Sequence, residues 1–466
     1  MSHQFHPSIL REYDMRGTIG KTLGADDAHA LGRSFGTRVL RDGRRTVAVG
    51  YDGRLSSPML EEALVAGLCA SGVDVRRIGL GPTPMLYYAT ASLPEVQDGI
   101  QITGSHNPPD QNGFKVVFRG GPFFGPDILD LGRLAAQGDW AQGDGTAESV
   151  NIMDAYVERL LAGLEGIAPD AGKHLFPESL AIAWDTGNGA AGPVVERLVA
   201  RLPGRHVLLH THVDGLFPGH HPDPSVEANL ADLTHAVARG RLDFGLAFDG
   251  DGDRLGVVDS RGRALAGDQL LMVFAEDVLK RQAGATVIAD IKASGALFDR
   301  VRALGGEPLM WKTGHSHIKS KMKETGALLG GEMTGHVFLA DDYYGFDDAI
   351  YAAVRLIAAT IRLGRTVTEL RDAMPALVNT PELRFPVDET RKFAVIDEVR
   401  ARLAAQGAEM ISIDGVRVTT PRGWWLLRAS NTEAMLTARA ESESDAGLAA
   451  LLAALDAQLA ASGIRR

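Results

Sequence analysis

The sequence has almost no cysteine, because Cys69 is the only one among 466 residues. No disulfide can form within the chain, which excludes the small disulfide-stabilised folds of secreted proteins. No apolar run approaches the ~20 residues that a membrane-spanning helix needs. Residues 1–17 are polar and lack the apolar core of a signal peptide. These absences predict a cytoplasmic protein.

The sequence also lacks an excess of positive charge. It has 48 Lys and Arg against 59 Asp and Glu, a formal net charge of −11. This balance argues against nucleic acid or an anionic membrane as a partner, although a local cationic pocket could still bind a small anion. Hydrophobic and charged contents of 45% and 23% are those of an ordinary globular protein. The length predicts about three domains, within a range of two to four, and leaves the oligomeric state open between monomer and dimer.

A strand–helix–strand pattern occurs three times before residue 313. Its elements are predicted at 46–51, 57–70 and 73–78, at 179–184, 191–202 and 206–213, and at 285–289, 294–304 and 308–312. Such units build parallel or mixed sheets covered by helices. The repetition therefore predicts three similar mixed α/β domains.

The pattern changes near residue 375. Helices are predicted at 391–406 and 444–461, with short strands at 383–387, 411–413, 416–418, 424–427 and 434–440. Antiparallel strands with helices at their edges indicate a separate C-terminal α+β domain. The predicted division of the chain is 1–150, 151–257, 258–372 and 373–466.

Residues 103–115 form a long polar loop after a short buried strand at 99–102. Gly104 and the prolines at 108 and 109 forbid regular structure, and we expect Gly104 to let the backbone turn sharply. Ser105 is thereby placed at the end of a strand, where active sites of α/β sheets are found. Lys115 then supplies a cation, which suits phosphoryl transfer because the phosphoryl charge needs compensation. The alternative is a polar turn with a capping serine.

Three aspartates, Asp249, Asp251 and Asp253, alternate with glycines between apolar strands at 242–248 and 255–259. Three such carboxylates repel one another unless a cation lies between them. Hard oxygen ligands at this density suit Mg²⁺. The alternative is an acidic hairpin turn, since Asp-Gly is a common hairpin dipeptide. We expect a surface connection, where replacing one aspartate changes stability little.

Two further polar loops carry weaker signals. Glu332 lies in the glycine-rich segment 330–336, which follows a short strand predicted at 327–329. In the segment 428–432, Arg428 precedes three short polar side chains, and a guanidinium with free backbone amides can hold a phosphate. Alone, segment 330–336 is better explained as a glycine turn with an exposed Glu, and the alternative for segment 428–432 is a Ser/Asn turn. The three short polar side chains are Ser430, Asn431 and Thr432.

Taken together, these loops resemble those of the α-D-phosphohexomutase superfamily, in particular its bacterial phosphomannomutase/phosphoglucomutase branch. Residues 103–115 resemble the phosphoserine loop, 248–254 the metal loop and 330–336 the sugar-recognition loop. The resemblance covers nearly the whole chain and implies four domains around a central cleft. It implies an enzyme that interconverts hexose 1-phosphate and hexose 6-phosphate of mannose or glucose. The reaction would pass through a phosphoserine and a hexose 1,6-bisphosphate, with glucose 1,6-bisphosphate as activator or intermediate.

The resemblance also assigns residues. Ser105 is implied as the phosphoryl carrier, and the Mg²⁺ ligands are implied to be its phosphoryl group with Asp249, Asp251 and Asp253. Acid–base or electrostatic roles fall to Lys115, His336 and Arg16. The implied substrate-binding residues are Tyr13, Arg254, Lys292, His315, Glu332, Thr334, Arg428, Ser430, Asn431 and Thr432. Thr334 stands where many relatives have serine. A purely structural role for His336 and a solvated turn around Arg16 are the alternatives.

Three rival functions stay open. A phosphoglucosamine mutase is the nearest, although its sugar loop usually has Gln where this chain has Met333. A metal-dependent serine phosphatase would also use a serine and carboxylates, and it would release inorganic phosphate. A non-catalytic sugar-phosphate-binding protein is the third, and the intact serine and aspartates argue against it.

Overall fold

The computed structural model describes residues 2–165, 167, 177–431 and 433–465. Within them the strands form four sheets, three mixed sheets covered by helices and a C-terminal antiparallel sheet. The predicted fold class is thus confirmed. Short 3₁₀ helices occur at Pro7–Ile9, Ala162–Leu164, Pro177–Ser179 and Glu227–Leu230.

The first sheet contains seven strands and brings two loops to one edge. The strands are β1 (Met15–Thr18), β2 (Thr46–Tyr51), β3 (Asp74–Leu80), β4 (Asp98–Ile102), β5 (Gln111–Phe118), β6 (Gly121–Pro122) and β7 (Ala147–Ser149). The helices are α1 (Ala25–Arg41), α2 (Ser57–Ser71), α3 (Thr83–Ser92) and α4 (Pro126–Gln137). Strand order is β1-β5-β4-β2-β3-β7, with β6 paired to β5. Because β2 and β4 are parallel neighbours, the loops that follow them lie side by side.

The second sheet carries the acidic loop on a hairpin. Its strands are β8 (Ala181–Asp185), β9 (Arg205–Leu209), β10 (Phe244–Phe248), β11 (Leu255–Asp259) and β12 (Ala264–Leu265). The helices are α5 (Met153–Leu161), α6 (Gly192–Val199) and α7 (Ala231–Gly240). Strand β9 ends at Leu209, before the predicted end at 213, because His210 adopts left-handed backbone with φ of 50°. The predicted domain boundary after residue 257 lies inside strand β11. A boundary that keeps all five strands of this sheet in one domain would fall after Leu265.

The third sheet packs against an almost fully buried helix. Its strands are β13 (Thr286–Asp290), β14 (Glu307–Trp311), β15 (Leu329–Gly331) and β16 (Val337–Leu339). The helices are α8 (Gly267–Arg281), α9 (Gly295–Ala303), α10 (His315–Thr325), α11 (Ala349–Leu363) and α12 (Val367–Asp372). Nearly every position of α11 is buried, including Arg355, whose guanidinium is paired with Asp341. Asp348 caps its start by accepting a hydrogen bond from the Tyr351 amide.

The fourth sheet is antiparallel throughout. Its strands are β17 (Val378–Asn379), β18 (Leu383–Pro386), β19 (Met410–Ile411), β20 (Val416–Thr420), β21 (Gly423–Ala429) and β22 (Met435–Ser442). The helices are α13 (Lys392–Ala405) and α14 (Asp445–Ala461). The predicted strand at 411–413 is shorter than expected, because the chain turns through Asp414 and Gly415, where φ is 84°. Arg428 lies near the end of strand β21, and Ser430 and Asn431 follow it at one end of this sheet.

The hydrophobic cores do not divide as the sheets do. One continuous core joins side chains of the second and third sheets and reaches α3 of the first. The first and fourth sheets each have a separate core. Of the helices in the described part of the chain, none combines the length and apolar character that a bilayer crossing requires.

Candidate active site

A buried arginine, Arg54, holds the loop after β4 in place. It was not among the site residues predicted from the sequence. The Arg54 guanidinium donates hydrogen bonds to the carbonyl oxygens of Ser105, Asn107, Pro108 and Gln111, at 2.5–2.9 Å. A Cβ at Gly104 would lie 2.4 Å from Arg54 Nε. The glycine is therefore needed for this close approach. The expectation that Gly104 makes the sharp turn was wrong, because the left-handed residue is Ser105, with φ of 49°.

Asp52, at the end of β2, completes this support. Its Oδ2 accepts hydrogen bonds from the Thr103 hydroxyl at 2.9 Å and the Gly104 amide at 3.1 Å. Thr103 Oγ1 in turn accepts from the Ser105 amide at 2.8 Å. The backbone that carries Ser105 is thus fixed by hydrogen bonds within the first domain.

The acidic loop lies directly against Ser105. The Ser105 hydroxyl donates to Asp249 Oδ2 at 2.8 Å, and Asp249 Oδ1 accepts from the Asp253 and Arg254 amides. Asp251 Oδ2 accepts from the Thr83 hydroxyl at 2.5 Å and from Lys115 Nζ at 2.8 Å. Lys115 also pairs with Asp253. The loop is therefore a contact between the first two sheets.

The expectation of a surface loop was wrong. The side chains of Asp249, Asp251 and Asp253 are all completely buried. Thr83 and Lys115 cover them, and both residues are far away in the sequence. Replacing one of these aspartates should therefore lower stability as well as affect function.

The charges in the loop are unevenly balanced. Burial and the neighbouring Asp251 and Asp253 charges raise the pKa of Asp249 well above its usual value. Burial alone would also raise the pKa of Asp251, but the Lys115 ammonium holds that pKa far below its ordinary range. Burial opposes the charge on Lys115, yet Asp251 and Asp253 raise the pKa of the ammonium. Lys115 is therefore positively charged at neutral pH.

The loop fits a divalent metal ion. One oxygen from each of the three aspartates lies within 4.8 Å of the others. The second oxygens of Asp251 and Asp253 are buried without a hydrogen-bond partner in the described part of the chain. Unpaired buried carboxylate oxygens are costly, and a cation between the three carboxylates would offset that cost and their mutual repulsion. Hard oxygen ligands of this kind match the preferences of Mg²⁺.

His336 connects the acidic loop to the third domain. Its Nε2 accepts a hydrogen bond from Arg254 Nε at 3.0 Å, and its Nδ1 lies 3.1 Å from Asp347 Oδ2. Because Nε2 acts as the acceptor, the ring proton belongs on Nδ1, facing the carboxylate. Asp347 also pairs with Lys319 at 2.8 Å. His336 is buried, with one ring nitrogen toward each domain.

The sugar loop turns tightly around Glu332. Glu332 is buried, and its Oε1 accepts a hydrogen bond from the Gly314 amide at 2.6 Å. Lys292 Nζ lies nearby, 3.8 Å from Asp290 Oδ2, and burial raises the pKa of Asp290 to about 6. Thr334 is half-buried at the tip of the same turn. Burial and the Lys319 charge lower the pKa of His315, so this imidazole is neutral.

Tyr13 joins three domains at this point. Its hydroxyl donates to the Thr313 carbonyl at 2.9 Å and accepts from Asn431 Nδ2 at 2.5 Å. Close by, Arg16 donates to Asp14 at 2.7 Å and to the Asn107 side chain at 3.0 Å. The N-terminal segment is therefore a wall of the site, and its interpretation as a solvated turn is excluded.

The loop of the fourth domain is organised around Arg428. This buried side chain donates from Nε to Asp414 Oδ2 at 3.1 Å, and Asp414 also accepts from the Thr313 amide. The Ser430 hydroxyl accepts from the Glu433 amide at 3.1 Å. Thr432, also predicted here, lies outside the described residues.

The predicted site residues within the described chain therefore gather in one region, at contacts between all four sheets. Arg54, Asp52, Lys319 and Asp347 were missed. A usable signal existed for two of them, because residues 52–54 directly follow β2 at the same sheet edge as Ser105. No local pattern marks the other two residues.

Comparison with known proteins gives consistent results along the whole chain. Residues 7–136, 154–262 and 266–377 match the phosphoglucomutase/phosphomannomutase alpha/beta/alpha domains I, II and III, in that order. Residues 382–458 match the C-terminal domain of the same group.

Individual relatives are similar over nearly their full lengths. A phosphomannomutase/phosphoglucomutase of Pseudomonas putida is 44% identical, covering 95% of this chain and 93% of the relative. A phosphoglucomutase of Neisseria gonorrhoeae is 41% identical, with 94% of each covered. A crystal structure of a phosphoglucomutase/phosphomannomutase family protein from Burkholderia thailandensis superposes with a TM-score of 0.91 at 43% identity, covering 99% and 98% of the two chains. This chain therefore belongs to the phosphoglucomutase/phosphomannomutase family of the α-D-phosphohexomutase superfamily.

Proposed function

We propose that this protein is a phosphohexomutase that interconverts the 1-phosphate and 6-phosphate of mannose or glucose in the cytoplasm. The observation that carries the proposal is the Ser105 hydroxyl, 2.8 Å from Asp249 Oδ2 within a buried acidic loop that Lys115 closes. Such a site offers a nucleophile or phosphoryl carrier, metal ligands and a fixed cation together.

In the proposed reaction, Ser105 begins as a phosphoserine. The free hydroxyl of the hexose phosphate attacks its phosphorus atom, the bond to Ser105 Oγ breaks, and a hexose 1,6-bisphosphate forms. The bisphosphate then turns around and returns its other phosphoryl group to Ser105. Free glucose 1,6-bisphosphate would phosphorylate an empty Ser105 by the same reverse step.

The surrounding residues have separate roles in this proposal. Asp249, Asp251, Asp253 and the phosphoryl oxygen would hold Mg²⁺, which would supply charge neutralisation at the transferring group. Lys115 adds a fixed positive charge. His336, with Asp347 behind Nδ1, would take the proton of the attacking hydroxyl on Nε2 once Arg254 turns from that nitrogen to the phosphoryl group, which Arg16 would also contact.

Recognition of the substrate would come from the third and fourth domains. Glu332 would accept hydrogen bonds from O3 and O4 of the sugar, which glucose and mannose share. His315, Lys292, Thr334 and Tyr13 would line the same pocket. Arg428, Ser430, Asn431 and Thr432 would bind the phosphate that is not transferred, in either orientation of the sugar. We also propose that the chain is divided into four domains at the boundaries predicted from the sequence.

One coupled assay tests the activity. Glucose 1-phosphate, mannose 1-phosphate and glucosamine 1-phosphate are supplied in turn with Mg²⁺ and a trace of glucose 1,6-bisphosphate. We expect 6-phosphates from the first two sugars and loss of activity after chelation. Selective turnover of the amino sugar would identify a phosphoglucosamine mutase, and release of inorganic phosphate would identify a phosphatase.

A further inference from the structure

A second cluster of metal-ligating side chains lies in the second sheet, outside the proposed phosphoryl-transfer site. One carboxylate oxygen of Asp185 and one ring nitrogen each of His210 and His220 all lie within 4.8 Å of one another. Asp185 is buried and both histidines are half-buried. The proposed mutase reaction uses none of the three.

The hydrogen bonds of His220 require a positive charge between its ring and Asp185. His220 Nδ1 lies 3.0 Å from the carbonyl oxygen of His221. A carbonyl only accepts, so Nδ1 carries a hydrogen. Nε2 lies 3.0 Å from Asp185 Oδ2. In a neutral imidazole that is protonated at Nδ1, Nε2 carries only a lone pair. That lone pair would repel the negatively charged carboxylate of Asp185. Either a second proton or a metal cation must therefore lie there.

His210 is oriented in the manner of a metal ligand. Its Nε2 lies 3.0 Å from Asp232 Oδ2, and a histidine bound to a metal usually has its other nitrogen on a carboxylate or carbonyl. The nitrogen left for a ligand is Nδ1, which faces Gly219. A Cβ at Gly219 would lie 2.5 Å from Nδ1, so only glycine leaves room in front of it.

We infer that Asp185, His210 and His220 bind one transition-metal ion of the Zn²⁺ class, with water in the fourth position. Two imidazole nitrogens and one carboxylate oxygen favour such an ion over Mg²⁺. Metal–ligand distances near 2.1 Å set ligand separations of roughly 3.4 Å in a tetrahedron, and the 3.0 Å between His220 Nε2 and Asp185 Oδ2 is close to that value. A protonated His220 paired with Asp185, without metal, is the competing interpretation.

The ion would stabilise the segment that packs against the acidic loop. Pro222, two residues after His220, lies within van der Waals reach of positions that a Cβ would take on Gly187 and Gly250. The Ala190 amide also donates to the Gly250 carbonyl at 3.0 Å. The site therefore ties residues 210–222 to both the Asp185 loop and the acidic loop, as a structural and not a catalytic metal.

Metal binding by the full chain tests this inference. Chelator-treated protein is dialysed into excess Mg²⁺, titrated with Zn²⁺ and analysed for bound zinc. We expect His220→Ala and His210→Ala each to lose one equivalent per chain relative to wild type. The control His235→Ala, which removes an exposed histidine of α7, should keep it. This difference does not depend on any zinc bound elsewhere, or on enzymatic activity.

A milder variant covers the case in which an alanine variant fails to fold. Asp232→Asn keeps all three proposed ligands but weakens the support of His210, so affinity should fall about 10- to 100-fold. X-ray absorption of the zinc-loaded protein should show two imidazoles. Equal zinc content in wild type, His220→Ala and His210→Ala would overturn the metal site and leave a protonated salt bridge. Unchanged affinity in Asp232→Asn would likewise count against it.

Discussion

The loops around Ser105 and Arg428 both serve phosphate in the proposed reaction, yet they are held differently. The Ser105 loop is fixed within its own domain, where Arg54 binds four of its carbonyl oxygens. The Arg428 loop meets the other domains through single polar contacts, from Asn431 to Tyr13 and from Asp414 to the Thr313 amide. The difference indicates that the Ser105 loop is positioned by its own domain, whereas the position of the phosphate anchor depends on contacts between domains.

The largest effect should come from removing the phosphoryl carrier. Ser105→Ala deletes the oxygen that is phosphorylated, so kcat should fall about 10⁴-fold or more. Intact-mass and peptide mapping of active wild type should find the phosphate on Ser105. Full activity of the folded variant would refute the assignment.

Removing the support of the Ser105 loop should lower kcat more than it raises KM. Arg54→Ala leaves Asp52 and four carbonyl oxygens without their donor, so kcat should fall about 10²-fold through misplacement of Ser105. Stability should fall by about 3–5 kcal/mol, since one partner of a buried ion pair is removed. Arg54→Lys should recover only part of both losses. Arg45→Ala, at an exposed arginine before the opposite end of β2, is the control in steady-state kinetics and denaturant unfolding.

At the phosphate anchor, substrate affinity should respond more strongly. Arg428→Ala removes about 1.5–3 kcal/mol of charged hydrogen bonding, which corresponds to a roughly 10- to 100-fold higher KM. A smaller fall in kcat should follow, because remote phosphate binding positions the reacting end. Arg428→Lys should restore part of the affinity. A KM unchanged in the folded Arg428→Ala protein would show that the phosphate is bound elsewhere.

The smallest expected effect concerns the contact between domains. Tyr13→Phe removes the hydroxyl that joins Thr313 and Asn431, at a cost of about 0.5–1.5 kcal/mol to the closed arrangement. KM should rise roughly 2- to 10-fold, while thermal stability stays close to wild type. Solution scattering with and without substrate measures closure directly. An equally compact bound state in both proteins would argue that Tyr13 does not control it.

The sequence predicted the three repeated units well, because their strands and helices have clear periodicity and are bounded by Gly and Pro. It predicted the acidic loop as exposed, since three aspartates between glycines are locally typical of a surface turn. Their burial depends on Lys115 and Thr83, which the fold supplies from another domain. The partners of Arg54 could not be predicted for the same reason, because they are carbonyl oxygens some 50 residues later, although its position directly after β2 marked the sheet edge of Ser105. Local patterns identify groups that carry chemistry, whereas tertiary contacts decide their support.

The single hydrophobic core shared by the second and third sheets has a consequence for unfolding. Four sheets would suggest four melting units, but two of them cannot separate without exposing the apolar side chains that they bury jointly, including those of α11. Calorimetry should therefore resolve at most three cooperative transitions. Residues 151–257, expressed alone, should not fold, whereas residues 373–466, with their own core, should fold independently. For this protein the number of structural repeats and the number of cooperative units are different quantities.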